Sequence, residues 1–211
     1  GLATDNIQQG AEWIFEGKGK ATVKVDGSSV LKKEGKFYRR LDRKLQKKYA
    51  SMKKHGKLSE ITPEMFALAR DGWVAAEAKP DLVTGHWPGW MPLNPDDNAD
   101  KYHWEAVDNL EDDAPDGTYE LVGPTVQQNI YGLDYHLFVK HGHEEVDVPR
   151  TLEGIQEFLE THYIEGLVFH PEDDSLPMFK VRRKDFGIVW NPLADRRHYP
   201  EWKEPVNNAS L

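Results

Sequence analysis

The chain of 211 residues contains no cysteine. This absence excludes disulfide bonds, zinc sites built on thiolates and a cysteine nucleophile. No run of apolar residues approaches the length of about 18 that suggests a membrane span, so we expect no membrane partner. The opening segment GLATDNIQQG has neither the basic region nor the apolar core of a secretory signal, and we expect none. Together these absences predict a cytoplasmic protein.

Positive charge is also scarce overall, because 36 acidic residues outnumber 27 Lys and Arg residues and give a net charge of −9. This balance by itself argues against a nucleic-acid partner. Residues 32–57, however, contain twelve basic and two acidic residues, a local charge of +10, whereas the rest of the chain carries −19. Such asymmetry indicates a local polyanion site, and the alternative is a solvated basic face. The basic residues are Lys32, Lys33, Lys36, Arg39, Arg40, Arg43, Lys44, Lys47, Lys48, Lys53, Lys54 and Lys57.

Strand-forming segments outnumber helical ones and do not alternate regularly with them. This pattern favours an α+β fold with antiparallel sheets and flanking helices. One amphipathic helix is predicted at 151–162, with Thr151 as its N-terminal cap, and a shorter helix is predicted at 63–70. Strands are predicted at residues 21–31, 36–41, 118–122, 135–140, 164–170 and 177–183.

Two further segments contain little regular periodicity. Residues 80–117 carry five prolines and many Asp and Asn residues, and they are interpreted as a long irregular insertion. Its aromatic stretch T84-G-H-W-P-G-W90 either stacks on unpaired bases or anchors a loop through its tryptophans. Residues 43–57 are the best candidate for a mobile loop.

The stretch T22-V-K-V-D-G-S-S-V30 places one lysine within a predicted strand of valines. With a period of two, Lys24 and Asp26 share one face of that strand, and Gly27 ends it. A lysine held on a rigid strand beside a carboxylate can act as a nucleophile. It can equally be an edge-strand lysine that prevents aggregation.

Three later strands supply the other groups that a nucleophilic lysine needs. Glu120 lies in T-Y-E-L-V-G-P, and Glu165 precedes a strand whose Gly166 permits close approach of a backbone or ligand. Lys180 and Arg182 share one face of a further strand. Carboxylates can hold hydrated Mg²⁺, and two cations can stabilise charge that develops on a phosphate. Attack on the α-phosphate of a nucleoside triphosphate requires such a set.

Together these segments resemble the covalent nucleotidyltransferase superfamily, which contains polynucleotide ligases and mRNA-capping enzymes. The match covers about residues 20–184, in the order and rough spacing of the family. The 84–92 and 131–142 segments most resemble RNA ligases related to the vertebrate 5′-to-3′ RNA ligase. The matching motifs are K24-V-D-G27 for motif I, Arg39 or Arg40 for motif Ia, E120-L-V-G-P for motif III, Phe138 for motif IIIa, E165-G-L-V-F for motif IV and K180-V-R182 for motif V.

The resemblance implies an adenylation-domain fold of the nucleotidyltransferase type, as a single domain over residues 1–211. About 27 residues follow Lys184, so no OB-fold domain is expected. It also implies an ATP-dependent RNA ligase, active in RNA repair, that joins RNA 5′-phosphate and 3′-hydroxyl ends through a lysyl-AMP intermediate on Lys24.

The residue roles follow from the same resemblance. The catalytic set is Lys24, Glu120, Glu165, Lys180 and Arg182. The ligands of Mg²⁺, with Mn²⁺ as an alternative, are Asp26, Glu120 and Glu165. The nucleotide contacts are Lys24, Asp26, Gly27, Arg39, Arg40, Glu120, Phe138, Glu165, Lys180 and Arg182.

Two alternatives stay open at the level of sequence. One is a module on the same scaffold that binds nucleotides or RNA ends without turnover. The other is a capping-type enzyme that transfers GMP. The sequence also leaves open the oligomeric state and whether the RNA substrate is a nick, two free ends or a break in a loop.

Overall fold

A computed structural model describes residues 2–4, 6–55, 57–173 and 175–190. These residues contain strands in three sheets and four short α-helices. This content confirms the predicted α+β class with antiparallel sheets. The elements in chain order are α1 (Glu12–Phe15), β1 (Lys20–Lys24), β2 (Ser28–Lys33), β3 (Lys36–Arg40), β4 (Arg43–Lys44), α2 (Ala50–Lys54), β5 (Val74–Ala75), β6 (His86–Trp87), β7 (Gly89–Pro92), α3 (Lys101–Asp108), β8 (Gly117–Val122), β9 (Leu137–Lys140), β10 (Glu145–Val146), α4 (Leu152–Thr161), β11 (Gly166–His170) and β12 (Phe179–Arg182).

The residues fall into two units that interleave along the chain. The first unit comprises the residues up to Gly27, then Val122–Asp134, and those from Val139 onward, while the second comprises Ser28–Leu121 and Tyr135–Phe138. Within the described part of both units, no helix has the length and apolar character needed to cross a membrane. The prediction of one domain over 1–211 stays a prediction.

The first unit is built on a four-stranded sheet in the order β10-β1-β11-β12. Directly opposed residues of an antiparallel pair share a face, so the pairing of Ala21 with Phe169 and of Leu167 with Val181 defines an apolar face. Val181 is partly buried against the core cluster of this unit, which consists of Ala11, Trp13, Ile14, Ala21, Val148, Ile155, Leu159, Leu167 and Phe169.

Helix α4 confirms the predicted helix at 151–162 to within a residue at each end. The Thr151 side chain accepts a hydrogen bond from Gly154 N at 3.0 Å, which satisfies one of the free N–H groups of the first turn. Ile155 and Leu159, one turn apart, are both buried and join the core.

The second unit contains a six-stranded sheet in the order β5-β7-β3-β2-β8-β9, up to Leu121 of β8 and Phe138 of β9. Val30 of β2 lies opposite Tyr119 of β8, and both side chains are buried. Ala106 of α3 is also fully buried. A separate two-stranded sheet joins β4 and β6.

The predicted strand 21–31 is wrong as one element, because it is divided into β1 and β2 in different sheets. Val25-Asp26-Gly27 lies between them, and Asp and Gly are poor strand formers. The Asp26 N–H is bonded to the Tyr131 hydroxyl at 2.7 Å and takes no part in a strand ladder.

The predicted helix at 63–70 is also wrong beyond the single 3₁₀ turn Pro63–Met65. Phe66 takes extended backbone angles, pairs with Leu45 and is fully buried, so packing of this ring outweighs local helix propensity.

The irregular insertion at 80–117 and the loop at 43–57 contain more regular structure than the sequence predicts. The insertion carries β6, β7 and α3. Its prolines lie at the end of β7, in a turn or outside the strands and helices, where a missing N–H costs little. The segment 43–57 carries β4, the 3₁₀ turn Lys47–Tyr49 and α2.

Candidate active site

Lys24 is the last residue of β1, on the face of the four-stranded sheet opposite its core. Its Nζ forms an ion pair with Glu165 Oε2. The two side chains are only 21% and 15% exposed, so this pair is screened by water much less than a surface pair. The structure therefore brings together the predicted nucleophile and one predicted carboxylate.

Glu165 precedes β11, and its pKa is raised above the ordinary value mainly by burial. The negative charge of Asp26 acts in the same direction, while Lys24 and Arg182 oppose it. Three charged groups thus influence one carboxyl group. A raised pKa at a buried carboxyl beside a lysine is typical of functional sites.

Arg182 joins this group through the register of the sheet. Lys24 lies opposite Gly166 in β11, and Gly166 lies opposite Arg182 in β12, so all three positions share one row and one face. A Cβ atom at Gly166 would lie 2.2 Å from Val181 O, so glycine lets β12 approach at this point. This confirms the close backbone approach predicted for Gly166.

Lys180 and Arg182 share the face of Lys24, as their spacing predicts. Lys180 is exposed and lies opposite Val168. Arg182 is half-buried, and its Nε and Nη2 donate to the two carboxylate oxygens of Asp185 at 3.2 and 3.3 Å. This two-point contact fixes the plane of the guanidinium group.

Asp26 does not share a strand face with Lys24, because β1 ends at Lys24. The expectation of one common face is therefore wrong. Asp26 is instead held by two aromatic side chains: its N–H bonds to the Tyr131 hydroxyl, and its Oδ2 accepts from Trp190 Nε1 at 3.0 Å. Gly27, which follows it, lies in a bend.

In the second unit, Glu120 is buried on β8 and accepts a hydrogen bond from Ser29 Oγ at 3.0 Å. Ser29 lies opposite Glu120, and Leu31 lies opposite Tyr38, so alternation places Arg40 on the same face as Ser29 and Glu120. Arg40 contacts Asp42 and lies 5.4 Å from the centre of the Trp90 ring.

Arg39 faces the opposite side of the same sheet. Its Nε lies 2.6 Å from Oδ1 of the buried Asp100, without the geometry of a hydrogen bond. Of the two arginines that the sequence leaves as alternatives, Arg40 is therefore the one that shares a face with Glu120.

Phe138 lies in the core of the second unit. It is 5% exposed, and its ring is stacked with that of Phe37 at 5.8 Å between centres. Tyr119 is a further ring neighbour at 6.2 Å. Packing alone accounts for this aromatic residue, and the structure gives no reason to assign it a nucleotide contact.

Comparison of the sequence with known proteins finds similar proteins that cover most of the chain. No family model matches the chain. It is 28% identical to RNA ligase 1 of Danio rerio, over 92% of this chain and 75% of the relative. It is 28% identical to RNA ligase 1 of Rattus norvegicus and 29% identical to that of Mus musculus, each over 100% of this chain and 79% of the relative. The chain resembles the RNA ligase 1 proteins. The likeness to RNA ligase 1 takes in both units.

Glu165, which contacts Lys24, and Asp26, whose charge acts on Glu165, are carboxylates of the kind that hold a hydrated Mg²⁺. Among the described residues, no three histidine, aspartate or glutamate side chains are arranged to hold a metal ion by themselves. Mg²⁺ is commonly bound by one or two carboxylates, with water and phosphate oxygens completing its shell. Asp26 and Glu165 influence each other electrostatically and supply two such carboxylates.

Three residues of the site were missed in the sequence: Tyr131, Asp185 and Trp190. Asp185 carries a local signal, because a carboxylate three residues after an arginine can contact it across one turn. Tyr131 and Trp190 reach Asp26 across 105 and 164 positions, and no local pattern reveals such contacts.

Proposed function

We propose that the chain is an ATP-dependent RNA ligase that works through a covalent lysyl-AMP intermediate on Lys24. The observation that carries this proposal is the ion pair of the half-buried Lys24 with Glu165, in one sheet row with Arg182. The similarity to RNA ligase 1 proteins over at least 92% of the chain supports RNA as the substrate.

In the first step, Lys24 Nζ attacks the α-phosphorus of ATP. A nitrogen–phosphorus bond forms, the bond to the β-phosphate oxygen breaks, and pyrophosphate leaves. Lys24 must lose a proton before it attacks, and Glu165, whose carboxylate contacts Nζ, is the group that accepts it. Lys180 and Arg182, on the same face, are suited to stabilise charge on the transferred phosphate.

In the second step, an oxygen of the RNA 5′-phosphate attacks the phosphorus of lysyl-AMP, which restores the amine of Lys24 and gives an adenylated RNA end. In the third step, a 3′-hydroxyl attacks that 5′-phosphate, and AMP leaves as the strand is sealed.

Asp26 and Glu165 would hold Mg²⁺ together with phosphate oxygens. When bound, the ion would neutralise phosphate charge and orient the reacting groups. In the second unit, we assign Glu120 and Arg40 as nucleotide contacts, on the face that carries Ser29.

The test is to incubate the protein with Mg²⁺ and ATP radiolabelled at the α-phosphate and to follow label on the denatured protein. We expect an adduct that acid removes, because a phosphoramidate bond is acid-labile. Lys24→Ala should abolish the label, since no other amine replaces the attacking nitrogen. Sealing of RNA with 5′-phosphate and 3′-hydroxyl ends should be lost with it.

The matched control is Lys20→Ala, which removes an exposed lysine from the same face of β1. Its labelling should equal that of the unaltered protein. Label that persists in Lys24→Ala would refute the nucleophile, and an adduct formed with GTP alone would point to a capping-type enzyme.

A further inference from the structure

Of the twelve basic residues of 32–57, five are engaged within the second unit and six others are exposed without an ion-pair partner in the described part of the chain. Lys32 Nζ donates to Ala114 O, Arg39 pairs with Asp100, and Lys57 pairs with Glu60 at 3.5 Å. The sequence count of +10 therefore overstates the charge available to a partner.

Arg43 packs against two tryptophan rings in this region. Its guanidinium lies 5.2 Å from the centre of the Trp73 ring and 4.7 Å from that of Trp87, and its Nε donates to Ala67 O at 2.6 Å. Both indole nitrogens donate to backbone carbonyls, of Leu41 and Glu77. The tryptophans thus anchor the segment, in agreement with one of the two roles considered for the 84–90 stretch.

Lys33 and Lys36, two of the six exposed lysines, flank the turn between β2 and β3, and the other four lie in β4, the following 3₁₀ turn and α2. All four are exposed, and none has an ion-pair partner within the described part of the chain. Two nearby acids are engaged elsewhere, Asp42 with Arg40 and Glu60 with Lys57. We call this group the lysine surface, and it consists of Lys44, Lys47, Lys48 and Lys54.

We propose that the lysine surface binds the phosphates of a single RNA strand, the strand whose end is to be joined; this inference rests on the proposed function. The rest of the chain outside 32–57 carries −19 and repels a polyanion. RNA is therefore attracted chiefly to the place where unpaired positive charge lies on an anchored segment. Binding through phosphates requires no particular base sequence.

The test measures binding of a 5′-phosphorylated single-stranded RNA by fluorescence anisotropy, without ATP, between about 50 and 200 mM salt. The variant replaces all four residues of the lysine surface with serine. Each lost phosphate contact lowers the slope of log Kd against log salt by about 0.7, so the slope should fall by up to about 3. Affinity near 100 mM salt should fall by about 10- to 100-fold.

The charge-matched control replaces four other exposed lysines with serine and lowers the net charge of −9 by the same four units. We expect this control to keep both the slope and the affinity of the unaltered protein. Thermal unfolding of both variants verifies that each is folded. The control positions are Lys18, Lys20, Lys79 and Lys101.

Equal weakening in the two variants would assign RNA binding to overall charge and overturn the proposal. Unchanged binding in the variant of the lysine surface would also overturn it. Displacement of RNA by poly-glutamate at equal charge would assign the surface to an acidic protein. Because the assay contains no ATP, its failure is separate from a failure of lysine adenylylation.

Discussion

Asp26 is held at two points by aromatic side chains, and Trp190 makes the contact to its carboxylate. The indole Nε1 donates to Oδ2 at 3.0 Å, and the ring lies 5.1 Å from that of the buried Tyr163. Trp190→Phe keeps an aromatic ring but removes the donor. We expect adenylylation of Lys24 to slow by about 10- to 100-fold, because a hydrogen bond to a charged group contributes about 1.5–3 kcal/mol.

A double-mutant cycle separates this positioning role from a loss of packing. In the Asp26→Ala background, which has no acceptor for the indole N–H, Trp190→Phe should cause little further loss, since the two residues act through one contact. Trp104→Phe is the matched control, because Trp104 Nε1 is buried without a hydrogen-bond partner among the described residues. Additive losses from Trp190→Phe and Asp26→Ala would contradict the role.

At the scale of elements, the pairing of β11 with β12 positions Arg182. A Cβ at Gly166 would lie 2.2 Å from Val181 O and 2.9 Å from Arg182 Cα, and both are backbone atoms that cannot rotate away. Gly166→Ala must therefore displace β12. We expect a loss of about 1–3 kcal/mol in the free energy of unfolding, together with a large loss of adenylylation as Arg182 shifts.

Val168→Ala is the control for this element, since it alters the same face of β11 and adds no atoms. It should lower stability slightly and leave adenylylation near the level of the unaltered protein. Urea unfolding and labelling with ATP, measured on both variants, provide the comparison. Normal labelling in Gly166→Ala would show that the position of β12 does not matter for the reaction.

Elements with a regular apolar period in their own sequence could be predicted, and elements that end or bend because of distant contacts could not. Helix α4 carries its cap and its apolar stripe within a dozen residues, so its bounds are local information. The Asp26 N–H, just past the end of β1, donates to the Tyr131 hydroxyl, and the extended Phe66 pairs with Leu45. Both partners are remote in sequence.

The candidate site divides in the same way. Glu165 and Arg182 could be predicted because strand ends and period-two spacing place them, and the register brings both near Lys24. Which of Arg39 and Arg40 shares a face with Glu120 follows only from the register of β2, β3 and β8, since adjacent strand residues differ in the face they occupy.

At the scale of the whole molecule, three histidines link stability to pH. Burial lowers the pKa values of His103, His143 and His170 below the ordinary value of about 6.5. His103 belongs to the second unit, and the other two belong to the first. Each stays neutral in the folded chain at a pH where the unfolded chain has already bound a proton.

The sign of the effect follows from proton binding. Below a pH of about 6.5 the unfolded state binds more protons than the folded state, so the free energy of unfolding falls as the pH falls. The limiting slope is about 1.4 kcal/mol per pH unit for each histidine. We expect the Tm, measured by calorimetry, to be lower at pH 5.5 than at pH 7.5.

His103→Gln should reduce that difference, whatever its effect on the Tm at pH 7.5, because one proton-binding group is removed. His55→Gln, at an exposed position, should leave the difference unchanged. A Tm that does not vary with pH, or equal differences in His103→Gln and the unaltered protein, would contradict this account.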